Sequence, residues 1–107
     1  MRIAFASMDN SRVDQHFGSA RYWQIYDIGR DSIFVETRRT QVRYQGHCEG
    51  SFDQQLSVLN DCDAVFVSKI GESAAAYMIR HNKRVFEATG EVPAIIAEIR
   101  NSRLLKE

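Results

Sequence analysis

The sequence predicts an α/β domain whose mixed β-sheet carries helices on both faces, and three observations support that class. Two runs rich in aromatic and β-branched residues, Arg21 to Ile28 and Ser32 to Val42, flank the turn signal Gly29-Arg30-Asp31, the pattern of an antiparallel hairpin. Ala64-Val65-Phe66-Val67 is a continuous apolar run, as expected of a central parallel strand covered on both sides. Val92, Ile95, Ile96 and Ile99 recur at i, i+3, i+4 and i+7, so the last helix must pack that stripe on the sheet.

The chain opens with Arg2 to Ser7, an apolar run with Ile3 and Phe5 on one side, which reads as a strand feeding the polar stretch Met8 to Gln15. The hairpin follows. Gln45-Gly46-His47-Cys48-Glu49-Gly50 is short, polar and glycine-bracketed, so it is a loop with unusual backbone freedom. Ser51 and Gln54 have the spacing of a capping box, in which the serine oxygen accepts an orphan helix N–H and the glutamine reaches back. The helix that starts there buries Phe52, Leu56 and Leu59 and ends at Asn60-Asp61. Beyond the central strand, Gly71 precedes an alanine-rich helix from Glu72 to Arg80, broken at Asn82. Arg84 to Glu87 is a further short strand, completing a β-α-β unit whose crossover should be right-handed. Pro93 fits the first turn of the final helix. The order is β-β-β-α-β-α-β-α. Residues 8 to 20 and 45 to 50 are its long irregular stretches, and function is expected on those two loops.

A chain of 107 residues with 44% hydrophobic and 26% charged side chains is expected to be one folded domain, residues 1–107. Fourteen basic residues balance fourteen acidic ones, so no global field draws in nucleic acid or an anionic membrane. Neither a long apolar run nor a signal-peptide core occurs, and the two cysteines make no disulfide framework; a cytoplasmic protein with free thiols is expected.

A mixed sheet in this order resembles the ribonuclease H architecture, whose nucleases hold metal ions on a cluster of carboxylates. The first strand has no acid, and Asp9, Asp14 and Asp27 read as two loop acids and a turn acid, so a nuclease is not expected. No G-x-S-x-G elbow, G-x-G-x-x-G run or P-loop occurs, and His47 beside Cys48 is poor ground for a hydrolase because adjacent side chains tend to point apart. What remains is a set of soft and borderline metal ligands: His16, His47 and Cys48 in the two loops and, less prominently, Met8, Cys62 and His81. Thiolate and imidazole favour iron–sulfur clusters or zinc, yet the spacing lacks the close pairs of a structural zinc site. Fewer than four protein ligands suit a preformed cluster that brings its own sulfide and is later handed on.

Each candidate has a plainer reading beside it. His16 could hydrogen-bond backbone to fix its turn, and His47 and Glu49 could be solvated loop residues. Cys62 stands where small buried cysteines are common, and His81 suits a helix C-terminus, whose carbonyls favour a cation. Cys48, among polar residues and glycines, is better explained as a reactive or ligating thiol than as core. Gly71 either shapes a tight strand-to-helix turn or opens a helix N-terminus to an anion.

Val13-Asp14-Gln15-His16-Phe17-Gly18 with Ala20 and the strand Tyr22 to Ile28, the Gly-His-Cys-Glu-Gly loop, and Leu59 to Val65 leading to Lys69-Ile70-Gly71 together resemble the dinitrogenase iron-molybdenum cofactor biosynthesis family. The similarity runs from Arg2 to about Ile99. It implies a ribonuclease H-like fold that is not an enzyme. It also implies binding of the iron-molybdenum cofactor, or of an iron–sulfur precursor, during assembly. Assembly or acceptor proteins of the nitrogenase pathway are the implied partners, and the chain itself is expected as a monomer or weak homodimer. The histidine of the family's H-F-G motif falls on His16, and the loop that is cysteine-rich in some members falls on Tyr44 to Gly50, where this chain has Cys48. The expected binding set is His16, His47, Cys48 and Gly71, with metal contacts from Cys48, His16 and His47.

Overall fold

The computed structural model describes residues 1–40 and 50–102. Its principal elements follow the expected order. Five strands, β1 (Arg2–Ala6), β3 (Tyr22–Ile28), β4 (Ser32–Arg39), β5 (Ala64–Val67) and β6 (Arg84–Glu87), form one sheet in the order β4-β3-β1-β5-β6. The pairs β1–β3 and β3–β4 are antiparallel, whereas β1–β5 and β5–β6 are parallel. Two further strands of two residues each, β2 (Arg12–Val13) and β7 (Gly90–Glu91), pair antiparallel beside it. The helices are α1 (Gly50–Val58), α2 (Glu72–Arg80) and α3 (Val92–Ser102).

Alternation along the central strands divides the core into two layers. Ala4, Ala6, Trp23, Ile25, Val65 and Val67 face α1 and α2, meeting Leu59, Ala74, Tyr77 and Met78. Ile3, Phe5, Ala64 and Phe66 face α3, which supplies Val92, Ile95, Ile96 and Ile99. That second face carries one aromatic ring from every strand: Phe34, Tyr26, Phe5, Phe66 and Phe86 stand at successive centroid separations of 5.3, 5.5, 5.3 and 4.9 Å. Such edge-to-face and offset contacts add to simple area burial and tie all five strands together.

The hairpin turns at residues 29–31, where the Gly29 N–H donates to the Asp31 carbonyl at 3.0 Å. A register shift between Ile25 and Tyr26 marks a bulge against β4, which among the described residues runs to Arg39; the expected end at Val42 lies outside them. Helix α2 ends as expected near Asn82. That residue adopts a left-handed φ of 63°, with the Asn82 N–H on the Ile79 carbonyl and the Lys83 N–H on that of Met78, a Schellman arrangement.

Asp27 corrects one reading: it lies within strand β3, one residue before its end, rather than in the turn, and its carboxylate takes Arg2 Nε at 2.9 Å and Nη2 at 3.1 Å. Arg2 also donates to Asp61, whose carboxylate accepts Arg38 Nη2 at 2.8 Å, while Arg38 Nη1 caps the end of α1 at the Val58 carbonyl. Lys83 Nζ satisfies the Asn60 and Cys62 carbonyls in the same α1–β5 connection. This charged knot lies where β1 and β5 begin. The stretch with His16 and Gly71 lies where they end.

Candidate functional site

The His16 turn is built on the carboxyl ends of the two central parallel strands. From the end of β1, the Ala6 carbonyl accepts the Asp14 and Gln15 N–H groups at 3.1 and 3.3 Å. Beyond β5, the Ser68 N–H donates to the Gln15 carbonyl at 3.0 Å and the Phe17 N–H to the Lys69 carbonyl at 2.9 Å, so His16 and Lys69 are bridge partners in parallel. The β2–β7 pair and a 2.9 Å bond from the Val92 N–H to the Ser11 carbonyl tether the earlier part of the same stretch to the start of α3. Residues 8–20, read from sequence as an irregular loop, are therefore pinned to three separate elements and include a 3-10 turn, Phe17–Ser19.

One buried side chain holds that turn against α1. Gln55, 2% exposed, donates from Nε2 to the Phe17 carbonyl at 2.8 Å and to the Ala20 carbonyl at 3.0 Å, and its Oε1 accepts Trp23 Nε1–H at 3.0 Å. All three partners would otherwise be polar groups shut away from water, which is costly. Gln15 acts similarly from the other side, its Oε1 accepting the Arg21 and Tyr22 N–H groups, both at 3.3 Å. With Phe17 fully buried and its ring 6.4 Å from that of Phe52, the backbone around His16 is fixed while the imidazole stays exposed.

Gly71 caps the N-terminus of α2 with φ −75° and ψ 160°, a conformation open to any residue, and a Cβ built there meets nothing within 4 Å. Neither a tight turn nor packing calls for glycine at this position. The same holds for Gly18, where an added Cβ is also in open space. Glycine thus leaves the backbone bare on both sides of the His16–Lys69 bridge. Among the described residues no side chain caps α2, and the first bond into the helix runs from the Ala75 N–H to the Gly71 carbonyl, so the N–H groups of residues 72–74 have no partner within it.

The remaining candidates separate from this cluster. Cys62 is 1% exposed within the α1–α2 side of the core, where burial pushes its thiol up to about 12, so it is a packing residue and not a thiolate donor. His81 lies at the C-terminal cap of α2 with its ring 4.5 Å from Tyr77, and Met8 is 60% exposed. His47 and Cys48 lie outside the described residues. Among the described residues, no three His, Cys, Asp or Glu side chains come together around a common point. The structure therefore brings together His16 and Gly71 from the predicted set, and adds Gln55 and Lys69, to which the sequence reading gave no role. Gln55 had a visible signal: it sits three residues after Phe52 and four before Leu59, a polar residue on the apolar face of α1.

The family model for the dinitrogenase iron-molybdenum cofactor matches residues 1–102. Protein NifX of Rhodobacter capsulatus is 33% identical over 86 residues, covering 75% of this chain and 54% of NifX. The FeMo cofactor biosynthesis protein NifB of Bradyrhizobium diazoefficiens is 32% identical over 85 residues, covering 73% of this chain and 16% of NifB. The chain thus spans about half the length of the one and a sixth of the other. Among solved structures, that of PH0822 superposes with a TM-score of 0.76 at 24% identity, covering 95% of this chain and 91% of that one, a likeness of fold.

Proposed function

The chain belongs to the dinitrogenase iron-molybdenum cofactor family, and we propose that it carries an iron–sulfur or iron-molybdenum cofactor precursor, without catalysis, in nitrogenase cofactor biosynthesis or a related metallocluster assembly pathway. The observation that carries this reading is the convergence of chain ends on one turn. The Thr40 N–H donates to the Arg21 carbonyl at 2.8 Å, one residue beyond the 16–20 turn, and α1 resumes at Gly50 with Phe52 against Phe17. The described residues on either side of the 41–49 segment, Thr40 and the start of α1, thus both lie beside the His16 turn, and two peptide units separate Cys48 from Gly50 in the chain, a reach of about 7 Å. His16, His47 and Cys48 then offer nitrogen and sulfur donors to one guest, with the uncapped N–H groups after Gly71 nearby.

Capture is a ligand exchange. The Cys48 thiol would give up its proton to an exchangeable terminal ligand as that ligand leaves an iron of the incoming cluster, and the sulfur would bond to that iron in its place, with no electron transferred. Release reverses the step when a donor on an acceptor protein replaces Cys48. Incomplete protein ligation keeps both directions accessible. The strand order β4-β3-β1-β5-β6 supports a ribonuclease H-like topology for this carrier, acting as a single domain in the cytoplasm. Its partners would be donor and acceptor proteins of the assembly pathway, met as a monomer or weak homodimer and without nucleic acid or membrane.

Anaerobic reconstitution with iron and sulfide, read by iron content and electronic spectrum, tests the reading. Wild-type protein should hold cluster, and Cys48→Ala and His16→Ala should each lose it with thermal unfolding nearly unchanged. Full retention in both variants would remove these ligands. A second reading, a metal-free interaction module of the same fold, is favoured by the open edge strand β4, where Ile33 is 61% and Phe34 45% exposed. Recovery from cells of stoichiometric complex without metal would support it over carriage.

A further inference from the structure

We infer that Lys69 is the charge that selects an anionic guest at the His16 turn, a deepening that rests on the carriage reading. His16 and Lys69 face each other across a parallel bridge, and side chains so paired project to the same side of their two strands. Both are exposed. The residues that follow them, Phe17 and Ile70, instead turn into the core on the α1–α2 side. The two side chains therefore leave neighbouring positions on the same side of backbone that the Ser68–Gln15 and Phe17–Lys69 bonds hold in register.

Two of the carboxylates around this pair accept backbone N–H groups. Glu87 Oε2 accepts the Ile70 N–H at 2.8 Å, and Asp14 Oδ1 accepts the Met8 N–H at 3.4 Å. Glu72, in the first turn of α2, is exposed and makes no ion pair with Lys69. Among the described residues Lys69 has no ion-pair partner, in contrast to Arg2 and Arg38 at the far end of the sheet. An unpaired lysine whose backbone is held one strand spacing from that of His16 favours a guest with net negative charge and disfavours a bare metal cation. A sulfide-bridged cluster with anionic terminal ligands meets both requirements: iron for the imidazole and negative charge for the ammonium.

The test is anaerobic titration with a synthetic dianionic [4Fe–4S] cluster bearing exchangeable thiolate ligands, at low and high salt. Wild type, Lys69→Gln, Lys69→Arg and Lys69→Glu are compared. Lys69→Gln should weaken uptake about tenfold at low salt and flatten its salt dependence, Lys69→Glu should weaken it further, and Lys69→Arg should restore most of it. Unchanged thermal unfolding across the series would tie those losses to the charge. Equal affinity and equal salt dependence in wild type and Lys69→Gln overturns the role of Lys69 while leaving carriage standing. No uptake by the wild type overturns carriage itself, and the selecting role with it.

Discussion

The two ends of the sheet use charge in opposite ways. Where β1 and β5 begin, Arg2, Asp27, Arg38 and Asp61 satisfy one another, and Arg38, with Arg2 behind it, holds the Asp61 carboxyl well below the usual carboxylate range. Where the same strands end, His16 and Lys69 face solvent from paired positions, and of the nearby acids Glu87 and Asp14 accept backbone N–H groups. Paired charge closes a structure, and unpaired charge on a rigid backbone leaves it ready for a guest. The rigidity at the second end comes from neutral hydrogen bonds, above all those of Gln55, so stability and ligand capacity are carried there by different side chains.

The largest effect expected from breaking this division is at Gln55. Gln55→Leu strands the Phe17 and Ala20 carbonyls and the Trp23 indole N–H in a buried site, and should cost about 2–4 kcal/mol. A shift in the urea midpoint at constant slope would measure it. A loss below about 1 kcal/mol would mean that the His16 turn is held by other contacts.

A smaller effect is expected at the charged end. The Asp61 side chain is 45% exposed, so Asp61→Asn should cost only about 1 kcal/mol at neutral pH. Because its folded pKa is lowered, the contribution of Asp61 is fully present above the unfolded carboxylate value of about 3.9 and is lost as pH falls through the lower folded value. The gap between wild type and Asp61→Asn should therefore be flat above about pH 5 and shrink below about pH 4. A gap that widens on acidification would contradict the pairing.

The smallest change belongs to His16. Its exposed imidazole makes no side-chain hydrogen bond as the cap of its turn, so His16→Asn should alter stability by less than about 0.5 kcal/mol. Thermal melts would show whether it does. A loss above about 1 kcal/mol would favour the plainer reading in which this histidine fixes the turn.

The sequence made the main elements legible because their signals are local: alternating aromatics for β3, an unbroken apolar run for β5, and the isoleucine stripe of α3. It could not show β2 and β7, whose two residues each carry no periodicity, nor the pinning of residues 8–20, which depends on β5, α1 and α3 arriving from elsewhere in the chain. His16 was visible through its motif. Lys69 gained meaning only once the bridge set it beside His16, and Asp27 looked like a turn acid until Arg2 was found to hold it on β3. Gln55 was legible in principle, since a glutamine on an apolar helix face must find partners or cost stability.

The most direct test of the account is a paramagnetic relaxation measurement with a nitroxide on Cys48, a site made selective by the burial and raised pKa of Cys62. Strong broadening of the amide signals of His16 to Gly18 and Lys69 to Gly71, with those of Gly29 to Asp31 left sharp, is the predicted result. Sharp signals at His16 and broadened ones at Gly29 to Asp31 would place the thiol at the wrong end of the sheet and contradict a shared site.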